Sequence, residues 1–189
     1  RGGSIHGNKL LVTDTGQNRV FIWNTIPETP FQSPDITLGQ ADASGVGRNS
    51  GGKVTASTLL YPSGIWTDGE KLIVADAWNH RVLIWLNFPE RDGQPADVVV
   101  GQADFTSNDP YVEVSDSPPS AKSLYWPYGV FSDGTSLWIA DTGNRRVLYY
   151  KHIPTHSFAK ADGVIGKRSF TERDYEHEDA IWPYSVKIS

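Results

Sequence analysis

Residues 69–89 read GEKLIVADAWNHRVLIWLNFP, and two apolar runs inside them, Leu72-Ile73-Val74-Ala75 and Val82-Leu83-Ile84-Trp85, decide the fold. A strand with one wet face alternates polar and apolar residues, whereas a strand that is apolar at every position buries both faces. Both runs have strand length, and a polar loop from Asp76 to Arg81 separates them. They predict an antiparallel hairpin at the centre of a sheet covered on both sides.

The same string recurs without gaps at 7–27, GNKLLVTDTGQNRVFIWNTIP, and at 134–154, GTSLWIADTGNRRVLYYKHIP. Asp14, Asp76 and Asp141 fall in register at spacings of 62 and 65 (76 − 14 and 141 − 76), and Arg19, Arg81 and Arg146 each follow five positions later. A second block trails each copy, as ITLGQAD at 36–42, VVVGQAD at 98–104 and GVIGKRS at 163–169. A third block precedes the later copies, as Tyr61-Pro62-Ser63-Gly64-Ile65 and Trp126-Pro127-Tyr128-Gly129-Val130, and returns as Trp182-Pro183-Tyr184-Ser185-Val186.

Each unit therefore holds four strand candidates, A to D, which in the second unit lie near 64–67, 71–75, 81–86 and 97–101. Asp68-Gly69 and Asp133-Gly134 suit the positive φ angles of a tight A-to-B turn. A proline at 27, 89 or 154 ends strand C. A four-stranded meander with two apolar faces and no helix to cover them must be covered by copies of itself, and radial stacking of such meanders is a β-propeller. The fold class read here is all-β, with three blades in approximate units 1–60, 61–125 and 126–181, and with 182–189 a further strand A. The first unit begins near strand B and lacks its own strand A, and the chain ends at the repeat position where that unit starts. This is the offset by which propellers lend a terminal strand to another blade. Three blades are fewer than the four to eight of closed propellers, so half of a six-bladed ring is expected. A second identical chain or the remainder of a longer polypeptide would complete it. The Arg1 start and the absence of methionine favour a processed or cut chain.

The order Pro-x-Gly-Ile/Val, then Asp-Gly, then an apolar strand ending in Ala-Asp, then Asn-x-Arg-Val with a second apolar strand, resembles the NHL repeat. The likeness is clearest at 62–85 and 127–150 and covers nearly the whole chain in three registers. It is similar to bacterial-type, long-repeat members with Gly-Gln-Ala-Asp blocks, although the period exceeds the family's usual unit and the extra length sits in the D-to-A connections. The resemblance implies a propeller whose relatives include binding scaffolds, RNA binders, and lyases, lactonases or hydrolases with a metal near the axis.

Composition narrows the function classes. The 189 residues carry a net charge of −5, and no segment gathers Lys and Arg, which argues against nucleic acid. No apolar run approaches the ~18 residues of a membrane-spanning helix. Cysteine is absent, which rules out disulfides and thiolate metal sites and leaves the compartment unread; an extracellular or periplasmic location is the working guess.

Asp14, Asp76 and Asp141 with Arg19, Arg81 and Arg146 would make catalytic pairs, but recurrence in every unit reads as structure, with each carboxylate tied to the turn and to the Arg opening strand C. Tyr61, Trp126 and Trp182 before the prolines read either as packing between blades or as an aromatic rim around a ligand. Tyr128 and Tyr184, where the second unit has Ser63, are the stronger rim candidates. The D-to-A connections at 40–60, 102–125 and 167–181 differ most between units and should emerge on one face, where recognition is expected. In the last of them Glu172, Asp174, Glu176, His177, Glu178 and Asp179 form an acidic cluster, in which Glu176, His177 and Asp179 are the metal candidates for Ca²⁺ or Zn²⁺; a solvated acidic loop is the plainer reading. The remaining histidines, His6, His80, His152 and His156, lie at different repeat positions and make no converging set. No nucleophile elbow, His-Glu-x-x-His or phosphate loop occurs, and the inner strands offer no His or carboxylate. The function expected is a non-catalytic scaffold that binds a protein, peptide or glycan through its D-to-A loops, with no cofactor. The alternatives are a metal-assisted lyase, lactonase or hydrolase at the axis and, third, RNA binding.

Overall fold

The computed structural model describes residues 2–110, 118–172 and 181–187. The chain is all-β, with three four-stranded antiparallel sheets ordered β1-β2-β3-β4, β5-β6-β7-β8 and β9-β10-β11-β12 across each sheet. Sheet 1 comprises β1 (Gly3–His6), β2 (Lys9–Asp14), β3 (Arg19–Trp23) and β4 (Ile36–Leu38). Sheet 2 comprises β5 (Pro62–Thr67), β6 (Leu72–Asp76), β7 (Arg81–Trp85) and β8 (Val98–Val100). Sheet 3 comprises β9 (Pro127–Ser132), β10 (Leu137–Asp141), β11 (Arg146–Tyr150) and β12 (Gly163–Ile165). Asp14↔Arg19, Asp76↔Arg81 and Asp141↔Arg146 are register partners at the same end of the second and third strands. Among the described residues no helix is long and apolar enough to cross a membrane.

The unbroken apolar runs have the packing they call for. Every residue of β6 and β7 is buried. Leu72, Val74, Leu83 and Trp85 pack with Leu11, Val20, Ile22 and Leu38 of sheet 1. Their alternating neighbours Ile73, Ala75, Val82 and Ile84 pack with Leu137, Ile139, Leu148 and Tyr150 of sheet 3. Sheet 2 is therefore the filling between two like sheets, which satisfies a strand with two apolar faces.

First strands set how closely the sheets approach, since β1 lies against β5 and β5 against β9. A methyl group at Gly64 would stand 2.7 Å from the Val130 amide nitrogen and 2.9 Å from Gly129 Cα and the Tyr128 oxygen. One at Gly129 would stand 2.8 Å from Ser185 Cα and 2.9 Å from the Tyr184 oxygen. Backbone meets backbone at both places, so glycine is there for proximity.

C-to-D loops make a second joint. Thr37 of β4 donates its N–H to the Asp92 carboxylate at 2.6 Å and accepts from the Gly93 N–H at 2.9 Å. One unit later Val99 of β8 donates to Ser157 Oγ at 3.1 Å and accepts from the Phe158 N–H at 2.9 Å. The outer strand of each preceding sheet is thus capped by the next.

One sequence expectation is corrected. The first unit has its own first strand: β1 pairs with β2, with Gly3↔Val12 and His6↔Lys9. It escaped notice because Gly2-Gly3-Ser4-Ile5-His6 lacks the Pro-x-Gly signature and is mostly exposed. The inner place of sheet 1 is therefore filled from within, and no strand needs to be lent to it. Residues 182–187 are the described part of the strand expected at 182–189, and they carry no ladder within this chain, as is also true of a strand that completes another blade. They run beside β9, with Ser185 Cα and the Tyr184 oxygen against Gly129, and the Pro183 oxygen accepts from Thr142 Oγ1 at 2.5 Å.

Candidate functional site

The recurrent Asp-Arg pairs anchor loops. Arg81 Nε donates to Asp76 Oδ2 at 2.7 Å with both side chains fully buried, and Arg146 repeats this on Asp141. Asp76 Oδ1 accepts the Leu60 N–H and Asp141 Oδ1 the Tyr125 N–H, each at 2.7 Å. These are amides of the preceding D-to-A connection, not of the adjacent turn. The guanidinium of Arg81 then donates to the carbonyls of Thr55, Thr58 and Phe105, and that of Arg146 to Ser120, Ser123 and Phe170. One cation thereby clips the loops on both sides of its sheet. Burial pushes the Asp76 and Asp141 carboxyls upward, opposed first by the Arg charge and then by the amide and Asn donors. In sheet 1 the Asp14–Arg19 pair at 2.8 Å is partly exposed, and Arg19 holds only the following loop, at Ala43 and Gly45.

The Gly-Gln-Ala-Asp blocks have a matching role. Gln40 Nε2 bonds the oxygens of Asn18 and Gly47, and Gln102 Nε2 those of His80 and Asp109. The first two D-to-A connections are thus pinned to the loop between the second and third strands of their own sheets. That loop is a single 3₁₀ turn ending in a left-handed residue, Asn18, His80 or Arg145, with φ of 56°, 55° and 53°.

From these left-handed residues an aromatic surface is built across the ends of the first strands. Tyr61 and Trp126 themselves have φ of 56° and 48°. Bulky residues avoid this region, and a residue before proline prefers extended backbone. The previous sheet holds each of them there: Tyr61 N–H donates to Asn18 Oδ1 at 3.0 Å and Trp126 N–H to His80 Nδ1 at 3.2 Å. At the third such position Arg145 lies over the Trp182 ring at 4.3 Å. Tyr61 stacks on Trp78 at 4.6 Å, Trp78 Nε1 donates to Tyr128 Oη at 3.3 Å, Tyr128 stacks with Tyr184 at 5.6 Å, and Trp182 Nε1 donates to Tyr184 Oη at 2.9 Å. Trp78, Trp126, Trp182 and Tyr184 are 38%, 40%, 50% and 55% exposed.

Two adjoining cavities open on this surface and share Tyr128 and Tyr184. One, of about 460 Å³, lies between Trp126 and Trp182, with Tyr125, Gly143 and Arg145 on its wall. The other, of about 430 Å³, runs down the first strands past Ser63, Gly64 and Gly129.

His80 is mostly buried, and loss of hydration lowers its pKa from 6.5 to about 4, with Asp109 pulling the other way. Because Nδ1 accepts the Trp126 N–H, the ring proton sits on Nε2. The unfolded chain takes up a proton near 6.5 and the folded chain only near 4, so stability falls as pH drops between those values and is level below them. The loss over this window is at most about 3 kcal/mol. His80→Asn restores the residue of the first repeat, which keeps an acceptor and tolerates φ above zero. Urea midpoints at pH 7 and pH 4 are expected to differ less in this variant than in the parent; equal differences would show that His80 does not set the dependence.

The structure brings together Tyr61, Trp126, Tyr128, Trp182 and Tyr184 at one end, on the side where the D-to-A connections are pinned. It adds Trp78, His80, Tyr125 and Arg145, which sequence reasoning missed. Their signal was present: Trp78 stands where the other copies have Gly16 and Gly143, and His80 and Arg145 stand at the Asn18 position. Glu176, His177 and Asp179 lie outside the described residues, while Glu172 accepts the Arg168 N–H at 2.5 Å. Among the described residues no three His, Asp or Glu side chains converge as metal ligands. No protein-family model matches the chain, and no curated protein is significantly similar to it.

Proposed function

We propose that the three sheets are propeller blades of NHL type, half of a six-bladed ring, and that the chain is a non-catalytic scaffold binding a protein, peptide or glycan on its aromatic end. The observation that carries this reading is the forced left-handed backbone of Tyr61 and Trp126. Strain of this kind persists where surrounding structure imposes it, and it gathers at ligand sites. Packing between sheets accounts for buried aromatic residues, but not for four large rings left 38% to 55% exposed around two cavities. Tyr and Trp offer flat apolar area with hydrogen-bonding edges at little entropic loss. The ligand class that suits them presents a flat apolar face: a sugar ring, or the proline or aromatic side chain of a peptide.

The test is a combined glycan and proline-rich peptide array probed with the intact chain, followed by titration of the best binder. Trp126→Ala and Trp182→Ala should each weaken that binder at least tenfold, in line with the ~2 kcal/mol of a hot-spot aromatic, with an unchanged far-ultraviolet spectrum. Unaltered affinity in both variants would remove the aromatic end from the account. Shortening 102–125 to a tight turn should also weaken binding, since this connection supplies Tyr125 and leads into Trp126.

A further inference from the structure

The loop between the third and fourth strands is plugged in two units and open in the third. In sheet 1 Trp23 Nε1 donates to the Gln32 carbonyl at 3.0 Å, and in sheet 2 Trp85 Nε1 donates to the Gln94 carbonyl at 3.1 Å. The same two glutamine side chains accept the N–H of Glu28 at 3.2 Å and of Glu90 at 2.9 Å. At these repeat positions the third unit has Tyr150, Ala159 and Thr155. Ala159 has no side-chain amide to offer Thr155. Tyr150 is 2% exposed, and its buried hydroxyl has no hydrogen-bond partner. A cavity of about 240 Å³ takes this place, with Tyr150, Thr155 and Ala159 on its wall.

Charge changes along with shape. Residues 24–34 carry Glu28 alone, and 86–96 carry Glu90 and Asp92 against Arg91, a formal −1 in each loop; residues 151–161 carry Lys151 and Lys160 and no acid, a formal +2. Both lysines, with His152 and His156, are exposed on the cavity wall, and none of the four enters a salt bridge among the described residues. The carboxylate on the wall is Asp162, which accepts the Lys151 N–H at 2.8 Å, just as Asp35 and Asp97 accept those of Asn24 and Leu86. That contact is a turn shared by all three units. Backbone bonds from the Ile153 N–H to Thr135, the Phe158 N–H to Val99 and the Ala161 N–H to Ala121, at 2.7, 2.9 and 2.8 Å, hold the loop, so the wall is preformed. Leaving a buried hydroxyl unpaired is destabilising, and the first two units satisfy the donor that stands at this position. Burial raises the Tyr150 pKa, so the phenol keeps its proton and can donate it to an acceptor.

We propose that this cavity binds a small oxyanion, a phosphate or sulfate group, with the Tyr150 hydroxyl donating to it from the buried side and Lys151 and Lys160 supplying positive charge at the exposed side. The site goes beyond the scaffold reading and does not depend on it. Tyr150 pairs with Leu137 at one end of the β10–β11 ladder, whereas Asp141 and Arg146, next to the aromatic surface, pair at the other.

Amide chemical shifts of the intact chain, titrated with sodium phosphate and separately with sodium sulfate at fixed pH and at an ionic strength held constant with sodium chloride, test the proposal. Saturable shifts are expected at Thr155, His156 and Lys160, with Trp126 unmoved. Shifts with one salt alone would assign the site to that ester, and shifts with both would assign it to either. Ala159→Gln rebuilds the plug of the first two units and should abolish the shifts in a folded chain. Tyr150→Phe should weaken binding about tenfold, the effect of losing one hydrogen bond to a charged group. Lys160→Ser changes only an exposed side chain, to the residue of the first unit, and should also weaken binding. No saturable shift with either salt, shifts that persist in folded Ala159→Gln, or undiminished affinity in Tyr150→Phe or in Lys160→Ser would each overturn the proposal.

Discussion

Replacing Arg81 with methionine is expected to remove about 3–5 kcal/mol of unfolding free energy, the typical result of leaving a buried carboxylate without its cation. Asp76 is fully buried and bonds Arg81, Asn79 and the Leu60 amide, so without the guanidinium its charge has no counterion. The same change frees the carbonyls of Thr55, Thr58 and Phe105, so both adjoining connections lose their anchor. Arg19→Met supplies the internal comparison, because Asp14 is 32% exposed and can be hydrated, and a loss nearer 1 kcal/mol is expected there. Urea denaturation of both variants measures the difference directly. Equal losses would mean that burial does not govern these pairs.

Gly64→Ala is the second large effect. The new methyl group meets three backbone atoms of β9 within 2.9 Å, and none of them can rotate away. Overpacking in a fixed core typically costs about 1–3 kcal/mol, and the upper end is expected because sheets 2 and 3 must separate to relieve the clash. Gly16→Ala is the control, since that position has open space and no positive φ, and its thermal midpoint should scarcely move. A thermal midpoint for Gly64→Ala matching that of Gly16→Ala would contradict the close approach of the first strands.

Much of this architecture was legible because it rests on residues that recur. The unbroken runs 72–75 and 82–85 announced two covered faces, and β6, β7 and β8 lie within a residue or two of their expected places. What could not be read came from contacts between units. β1 is a strand because β2 offers it a ladder, not because Gly3-Ser4-Ile5-His6 favours one. Residues 182–187 carry the Trp-Pro-Tyr signature and lie against β9, the place that β9 itself takes against β5. At the site, the five aromatic candidates were visible at two repeat positions, before and after the proline. The left-handed backbone of Tyr61 and Trp126 was not, since it depends on Asn18 and His80 from the sheet before. Trp78 was overlooked because its signal is a departure from the repeat, a tryptophan where the other copies have Gly16 and Gly143, and only the stack on Tyr61 shows its use.

The central claim is that the sheets dock side by side, because the aromatic surface exists only when three first strands and their loops converge. Amide hydrogen exchange read residue by residue tests it most directly. Thr37 and Val99 sit on outer strands whose outward N–H groups would face water in an isolated sheet, but here they donate to Asp92 and Ser157 of the next unit. The account predicts protection at both amides comparable to that of Leu83 in the middle of sheet 2. Exchange of Thr37 and Val99 at the rate of open edges, with Leu83 still protected, would show three sheets that fold without docking, and the site described here would not form.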